Sequence, residues 1–137
     1  MFVEDEKDYI MRMIRQMIRA LVSLILGKEF TLVELPNENK YEVSGSTLDE
    51  YLMMVDAGQI NEAENAILEN VDYSDKNDVA AVVKFYEYIN EQEDAFLEEH
   101  GYSREEVLDG LKQVAEEAGY GSMIGLFQMG KREKDIL

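Results

Sequence analysis

The chain has 137 residues and no cysteine, and its 30 acidic against 13 basic residues give a formal net charge of -17. The missing cysteine excludes a disulfide framework, a thiolate metal site and a thiol nucleophile. The acidic excess repels a phosphate backbone, so we expect no nucleic-acid partner. With 46% hydrophobic and 31% charged residues, the composition predicts one folded globular domain over residues 1–137.

The acidic residues are concentrated in the middle of the chain, where residues 28–100 hold 19 acidic and 4 basic side chains. The N-terminal segment 1–27 holds four of each sign and places "VEDEKD" before its apolar part. This pattern does not fit a secretory signal peptide. The longest nearly uncharged run, 20–26, is shorter than the roughly 20 residues of a membrane span. We therefore expect a cytoplasmic location.

The first predicted element is a long apolar helix in segment 1–27, over residues 5–26, which Gly27 ends. Its apolar side chains span about 200° of a helical wheel, whereas packing one face needs an arc of somewhat more than about 100°. Arg12, Arg15 and Arg19 fill the remaining strip. The apolar arc consists of Ile10, Met11, Met13, Ile14, Met17, Ile18, Leu21, Val22, Leu24 and Ile25.

Three interpretations of this wide apolar arc stay open. The helix can be enclosed by its own domain, with its arginines paired to the acidic middle segment. It can be shared between its own domain and a dimer or partner interface, to which methionine-rich surfaces adapt well. It can also lie on an anionic membrane with its arginines at the headgroups. The candidate interaction surface consists of Met11, Arg12, Arg15, Ile18, Arg19, Val22 and Phe127.

Residues 28–46 contain the only proline, Pro36, and show no helical periodicity. A short hairpin of "FTLVEL" and "KYEV" is one interpretation, and an extended surface linker is the one we favour.

Residues 47–118 predict helical hairpins. The next helix begins at Ser46 or Thr47, where Thr47 and Glu50 have capping-box spacing, and it ends at Gly58. Another follows directly, from residue 59 or 61 to residue 70, so the two form an αα-hairpin with a tight turn. The apolar faces of the pair carry Leu48, Tyr51, Leu52, Val55, Ala63, Ala66, Ile67 and Val71.

The stretch "DYSDKND" predicts a capping loop in which Ser74 or Asp75 caps the next helix, since it lacks the glycine and glutamate that an EF-hand requires. The helix after it carries Val79, Val82, Val83, Tyr86 and Ile89, and "NEQED" is the point where it can break before Phe96 and Leu97. Gly101 then suits a left-handed helix end, and Ser103 with Glu106 forms a second capping box for a helix reaching residue 118. Residues 119–137 predict a short docking helix or tail.

The sequence offers no catalytic, cofactor-binding or metal-binding residues. The lone histidine, His100, is interpreted as a cap at a helix C-terminus, and paired carboxylates such as Glu62 with Glu64 are interpreted as solvated. Five tyrosines are candidates for partner binding, because tyrosine is common at protein interfaces. A half-buried position in the core is the other interpretation of the same residues. These tyrosines are Tyr73, Tyr86, Tyr88, Tyr102 and Tyr120.

Residues 58–67, "GQINEAENAI", resemble the turn between the two helices of a tetratricopeptide repeat through Gly58, Ile60, Glu62, Ala63 and Ile67. Bulky Tyr51 departs from the small residue of that pattern, and a period of 43 residues from Gly58 to Gly101 departs from the period of about 34. Only one degenerate repeat is therefore matched.

The stretches "DYIMRMIRQMIRAL", "GQINEAEN" and "GYSREEVLDGLKQVAE" together resemble a family of short, uncharacterised bacterial proteins from low-GC Gram-positive species. The resemblance covers nearly the whole chain and implies a tetratricopeptide-like helical fold. It implies no catalytic residues.

These observations predict an all-α fold of five to six helices, with tetratricopeptide-like hairpins after the long N-terminal helix and the extended linker. We expect a non-enzymatic protein-interaction or structural module without cofactor or metal, whose partner is a second copy or a protein with a basic segment. The alternative is a peripheral membrane protein that uses the N-terminal helix.

Overall fold

The computed structural model describes residues 6–26, 42–43 and 46–122. Within these residues the fold is helical, which confirms the predicted class, and β structure is limited to one pair of two-residue strands. In chain order the elements are α1 Glu6–Leu26, β1 Glu42–Val43, β2 Ser46–Thr47, α2 Leu48–Asp56, α3 Ile60–Asn70, α4 Lys76–Asn90, α5 Asp94–Glu99 and α6 Arg104–Glu117. All six of these helices contribute to one hydrophobic core.

Helix α4 lies at the centre of this core. Ten of its fifteen residues are buried, and α1, α2, α6 and β1 pack against it. A helix that is apolar around most of its circumference can be enclosed on several sides. The run from Val79 to Val83 is at most 2% exposed, and its small side chains let neighbouring helices approach closely. The other helices are therefore arranged around α4.

Helix α1 packs against both α4 and α6. Its buried side chains span about 140° of the helical wheel, wider than contact with one neighbour requires. Leu24, at the edge of the arc, is 47% exposed. The buried side chains are Ile14, Met17, Ile18, Leu21, Val22 and Ile25. Most of the wide apolar arc is therefore used inside the subunit.

Strands β1 and β2 pair antiparallel, with Glu42 opposite Thr47 and Val43 opposite Ser46. The end of the segment 28–46 predicted as an extended linker is thus a strand pair, and β1 lies against α4. Pairing and packing together hold this short segment in place. The stretch "FTLVEL" of the alternative hairpin, and the rest of residues 27–41, lie outside the described residues.

The predicted turns at two glycines are confirmed. Gly58 follows α2 with φ +89°, and Gly101 follows α5 with φ +67°. At Gly58, the amide of the glycine donates to the Val55 carbonyl and the next amide donates to the Met54 carbonyl, the pattern of a Schellman motif. A Cβ at Gly58 would also lie 2.4 Å from His100 Nε2. Backbone conformation and available space both favour glycine there.

The predicted helix caps are formed in two cases out of three. Asp75 caps α4 by accepting a hydrogen bond from the Asn77 amide, and Ser103 with Glu106 forms the predicted capping box of α6. Thr47 makes no side-chain hydrogen bond at the start of α2, so the capping box predicted there with Glu50 is wrong. Thr47 instead belongs to β2, whose pairing constrains its backbone.

Helix α4 ends at Asn90 and α5 begins at Asp94, so the predicted weak point "NEQED" is a break. The break lets the chain turn before α6, which packs against both α4 and α1. On α6, Gly110 faces the Tyr86 side chain of α4, and a Cβ at Gly110 would lie 2.3 Å from the Tyr86 hydroxyl oxygen. Gly110 therefore provides the space that Tyr86 occupies.

We predict that Gly110→Ala destabilises the fold by about 1–3 kcal/mol, because overpacking against Tyr86 outweighs the gain of about 1 kcal/mol in helix propensity. Denaturant unfolding of the full chain measures the change. Gln113→Ala, at an exposed position of the same helix, is the control and should leave stability within about 0.5 kcal/mol. A more stable Gly110→Ala variant would show that Tyr86 does not occupy this space.

Candidate functional site

The candidate interaction surface on α1 is divided by the fold. Ile18 and Val22 are only 5% and 8% exposed, and their burial in the core removes them from that surface. Met11 is half-buried. Phe127 lies outside the described residues. The exposed members are Arg12, Arg15 and Arg19.

One arginine of this strip is paired with the acidic middle segment. The Arg15 Nε lies 3.2 Å from Glu91 Oε2, and its Nη2 lies 3.3 Å from Glu91 Oε1, a two-point contact just beyond the end of α4. Both side chains are about half exposed, so the contact is a surface ion pair of small energetic weight. Next to it, the Arg12 guanidinium lies 5.8 Å from the centre of the Tyr9 ring. Two arginines of the strip therefore contact other residues of the same chain, one on α1 and one just after α4.

Exposed charges are segregated on the described part of the chain. Seventeen acidic side chains are exposed there, against four basic ones. Three of the four are the arginines of α1, and the fourth is Lys76 at the start of α4. Among the exposed charged side chains described beyond α1, all but Lys76 are therefore acidic.

The five tyrosines considered for partner binding are either buried or half-buried. Tyr86 is completely buried and Tyr102 is 4% exposed, so of the two interpretations left open by the sequence, core tyrosines rather than partner binding applies to these two. Tyr73, Tyr88 and Tyr120 are half-buried. The periodicity of α4 already placed Tyr86 on its apolar stripe.

A carboxyl group lies against the two buried tyrosines. The Tyr86 hydroxyl donates to Glu64 Oε2 at 2.6 Å, passing Gly110 on its way from α4 to α3. Burial raises the pKa of Glu64 above its usual range, and the Tyr86 hydrogen bond offsets that rise only in part. Burial, followed by the nearby Glu64 charge, also raises the pKa of the Tyr86 and Tyr102 hydroxyls far above the usual range. The cluster is therefore a carboxyl group with a raised pKa beside two buried phenols.

The Arg104 side chain ties α6 to the end of α4. It is 8% exposed, and its Nη2 donates to the Asn90 carbonyl at 3.1 Å and to the Gln92 carbonyl at 2.5 Å. Its Nη1 pairs with the Asp94 carboxylate at the start of α5. The guanidinium thus satisfies carbonyls at the break between α4 and α5, where the helical ladder stops. Its Nε makes no hydrogen bond to any residue that the structure describes.

A cleft of about 250 Å³ opens beside Arg104, between α1, α5 and the start of α6. Tyr102 lines it and thereby joins it to the Glu64 cluster. Exposed carboxylates, an apolar wall and the buried guanidinium meet in this one opening. Its lining residues are Ile10, Asp94, Leu97, Glu98, Tyr102, Ser103, Arg104 and Glu105.

His100 has the capping position predicted from the sequence. It ends α5, and its Nδ1 lies 2.9 Å from the Phe96 carbonyl oxygen, so a proton on Nδ1 donates to a carbonyl at the helix C-terminus. Its ring lies 4.6 Å from that of Phe96 and also contacts Gly58. The residue therefore connects α5 to the turn between α2 and α3.

Neither a metal-binding cluster nor a helix able to cross a bilayer is found in the part of the chain that the structure describes. No group of three or more histidine, aspartate or glutamate side chains there is arranged to hold a metal ion. None of the helices there has both the length and the apolar character needed to cross a bilayer.

Sequence reasoning missed Glu64 and Arg104. The expectation of a solvated Glu64 is wrong, because the residue follows Ile60 by four residues and precedes Ile67 by three, a spacing that puts it on the buried face of α3. That signal was present in the sequence. Arg104 stands in the first turn of α6, a position typical of solvated residues, and no local pattern reveals that it reaches the end of α4.

Comparison with known proteins gives one match. A model described as "Family of unknown function (DUF6483)" matches residues 4–119, which confirms the expected resemblance to an uncharacterised family. No curated protein and no solved structure matches the chain.

We predict that the stability of the wild type falls relative to Glu64→Gln as the pH rises from about 4 to about 8. A folded-state pKa above the unfolded value adds stability at low pH, and that stability is lost as the carboxyl ionises in the folded protein. Denaturant unfolding of both proteins across this pH range measures the difference. Glu62→Gln, at an exposed site of the same helix, controls for the loss of one charge. A constant difference between wild type and Glu64→Gln would contradict the raised pKa.

We predict that Arg104→Lys lowers the free energy of unfolding by about 2 kcal/mol or more, because an ammonium cannot reach two carbonyls and a carboxylate with the fixed geometry of a guanidinium. Arg15→Lys changes an exposed ion pair and should cost no more than about 0.5 kcal/mol. Thermal or denaturant unfolding compares the two variants. Equal losses would mean that the buried contacts of Arg104 add no stability.

Proposed function

We propose a function from the geometry of the chain itself, because the chain belongs to the DUF6483 family, whose function is unknown. The protein is a non-enzymatic interaction module that binds a basic segment of a partner protein. The binding surface is the acidic surface formed by the helices other than α1.

The segregation of exposed charge carries this proposal. Seventeen exposed acidic side chains against four basic ones leave the helices beyond α1 with almost no exposed cations among the described residues. A surface of one sign attracts a partner of the opposite sign, speeds the encounter and disfavours acidic competitors. Most of the exposed carboxylates lie on helices that share one core. A basic segment can therefore bind without a large ordering cost on the side of this protein.

Self-association is part of the same proposal. The arginine strip of α1 in one copy is complementary to the acidic helices of another. Such a contact joins two different surfaces, so it is heterologous. The apolar face of α1 contributes little to it, because that face is already buried against α4 and α6.

The membrane alternative receives less support. An interfacial helix buries its apolar face among lipid acyl chains, but six apolar side chains of α1 lie in the core of the subunit. Using them at a membrane would require the domain to open.

The finer parts of the sequence interpretation belong to the same proposal. They are a tetratricopeptide-like character of the hairpin formed by α2 and α3, a bacterial, low-GC Gram-positive origin and a cytoplasmic location. The contact between α2 and α3, with Gly58 at the turn, supports the first of them.

We predict that a fluorescently labelled peptide of alternating lysine and glycine binds the full chain. Its affinity should fall about fivefold between about 50 mM and about 200 mM salt, because exposed charges are screened over about one Debye length. Fluorescence anisotropy measures the affinity, with a glutamine-for-lysine peptide as the control ligand. Equal binding of the two peptides, or binding that salt does not change, would overturn the proposed function.

The triple variant Arg12→Gln, Arg15→Gln, Arg19→Gln locates the surface in the same assay. Because it removes cations from α1 alone, it should bind the lysine peptide at least as tightly as the wild type does. A loss of binding would show that the peptide does not use the acidic surface of the other helices.

A further inference from the structure

Helix α3 has its extensive helix–helix contact with α2 alone, among the helices that the structure describes. It buries three side chains, Ile60, Ala63 and Ile67, whereas α4 buries ten. A segment with few buried apolar side chains opens at a lower free energy than the whole domain does. The contacts that hold α3 to the other helices therefore determine how often it opens.

A side-chain hydrogen bond connects α3 to α4. The Tyr86 hydroxyl of α4 donates to Glu64 Oε2 of α3 at 2.6 Å. Tyr86 is completely buried, and Gly110 of α6 leaves the space that its hydroxyl occupies. The bond therefore joins α3 to the central helix of the core at a point where α6 also lies close.

The surroundings of the Glu64 carboxyl disfavour its charged form. The carboxyl is half-buried, and it faces Tyr86 on α4, Tyr102 just before α6 and Glu106 on α6. No cation is among these described groups. Loss of water around a carboxylate and repulsion by a second carboxylate both favour the protonated form. The Tyr86 hydrogen bond offsets burial only in part, so the pKa of Glu64 lies above its usual range.

We infer that Glu64 is a pH-sensitive contact that holds α3 against α4 and α6. While the carboxyl carries its proton, α3 stays packed, because a neutral hydrogen-bonded group costs little to bury. When the proton passes to water, the carboxylate gains hydration by moving away from its buried position. Helix α3 then opens more often and exposes its apolar face.

The direction of the pH dependence follows from the two states of α3. In the open state the carboxyl is hydrated and has its ordinary pKa, whereas burial raises the pKa of Glu64 in the closed state. The closed state therefore binds the proton more tightly. It is favoured at low pH and loses this advantage as the pH rises through the raised value. This opening goes beyond the proposed function and does not depend on it.

Amide hydrogen exchange of the full chain, followed by NMR at about pH 5 and about pH 8, tests the inference. Protection factors remove the intrinsic pH dependence of exchange, and for the amides of α3 in the wild type we expect them to fall about threefold or more. In Glu64→Gln, whose side chain cannot ionise, the fall should be absent. Glu62→Gln, at an exposed site of the same helix, should behave like the wild type.

The comparison of these proteins isolates Glu64, because His100 and the other titrating groups are common to all of them. A fall of equal size in the wild type and in Glu64→Gln would overturn the inference. The absence of any fall in the wild type would overturn it as well.

Urea below the unfolding transition separates an opening of α3 from unfolding of the whole domain. A local opening exposes little surface, so the protection of α3 amides at about pH 8 should depend weakly on urea. The amides of Val82 and Val83, in the completely buried part of α4, should depend on it steeply. Equal urea dependence in the two helices would show that α3 opens only with the whole domain, which contradicts the inference.

Two tyrosine variants test the hydrogen bond itself. Tyr86→Phe keeps the ring and removes the donor to Glu64, so the protection of α3 amides at about pH 5 should fall about fivefold. Tyr88→Phe is the matched control on the same helix, because its hydroxyl donates to Asp56 of α2 instead, and it should change that protection by less than about twofold. Unchanged protection in Tyr86→Phe would mean that the Glu64 contact does not hold α3.

Discussion

The enclosure of α4 is the constraint on which the rest of the structure depends. Ten of its fifteen residues must be kept from water, and no single neighbour can cover so wide a surface. Helices α1, α2 and α6 and strand β1 share this task. The break at Asn90 follows from it, since the chain must turn back through α5 before α6 can lie against α4.

The same enclosure determines which part of α1 is available for binding. Because α1 contacts both α4 and α6, most of its apolar arc lies in the core, and its exposed strip is basic. Most of the acidic residues that the structure describes beyond α1 lie at exposed positions, because ionised side chains are costly to bury without a partner. Burial thereby produces the separation of charge that supports a role in binding a basic segment.

Two polar side chains that enter the interior next to α4 have partners there. Tyr86 reaches past Gly110 to the Glu64 carboxyl, which gives the hydroxyl of a fully buried residue an acceptor. Arg104 satisfies the carbonyls where α4 ends. Tyr102 stands between these two groups and also lines the cleft. The polar interior and the cleft are therefore contiguous through Tyr102.

The sequence by itself determined the helical class, the turns at Gly58 and Gly101, a cap at Ser74 or Asp75 and the capping box of Ser103. These features depend on apolar periodicity and on backbone geometry within a few residues. Only the tertiary structure decided how much of the α1 arc is buried, and that Arg104 meets carbonyls 12 and 14 residues away. Those outcomes depend on which distant segments pack together. A local sequence pattern does not contain that information, because burial and buried hydrogen bonds depend on residues far away in the chain.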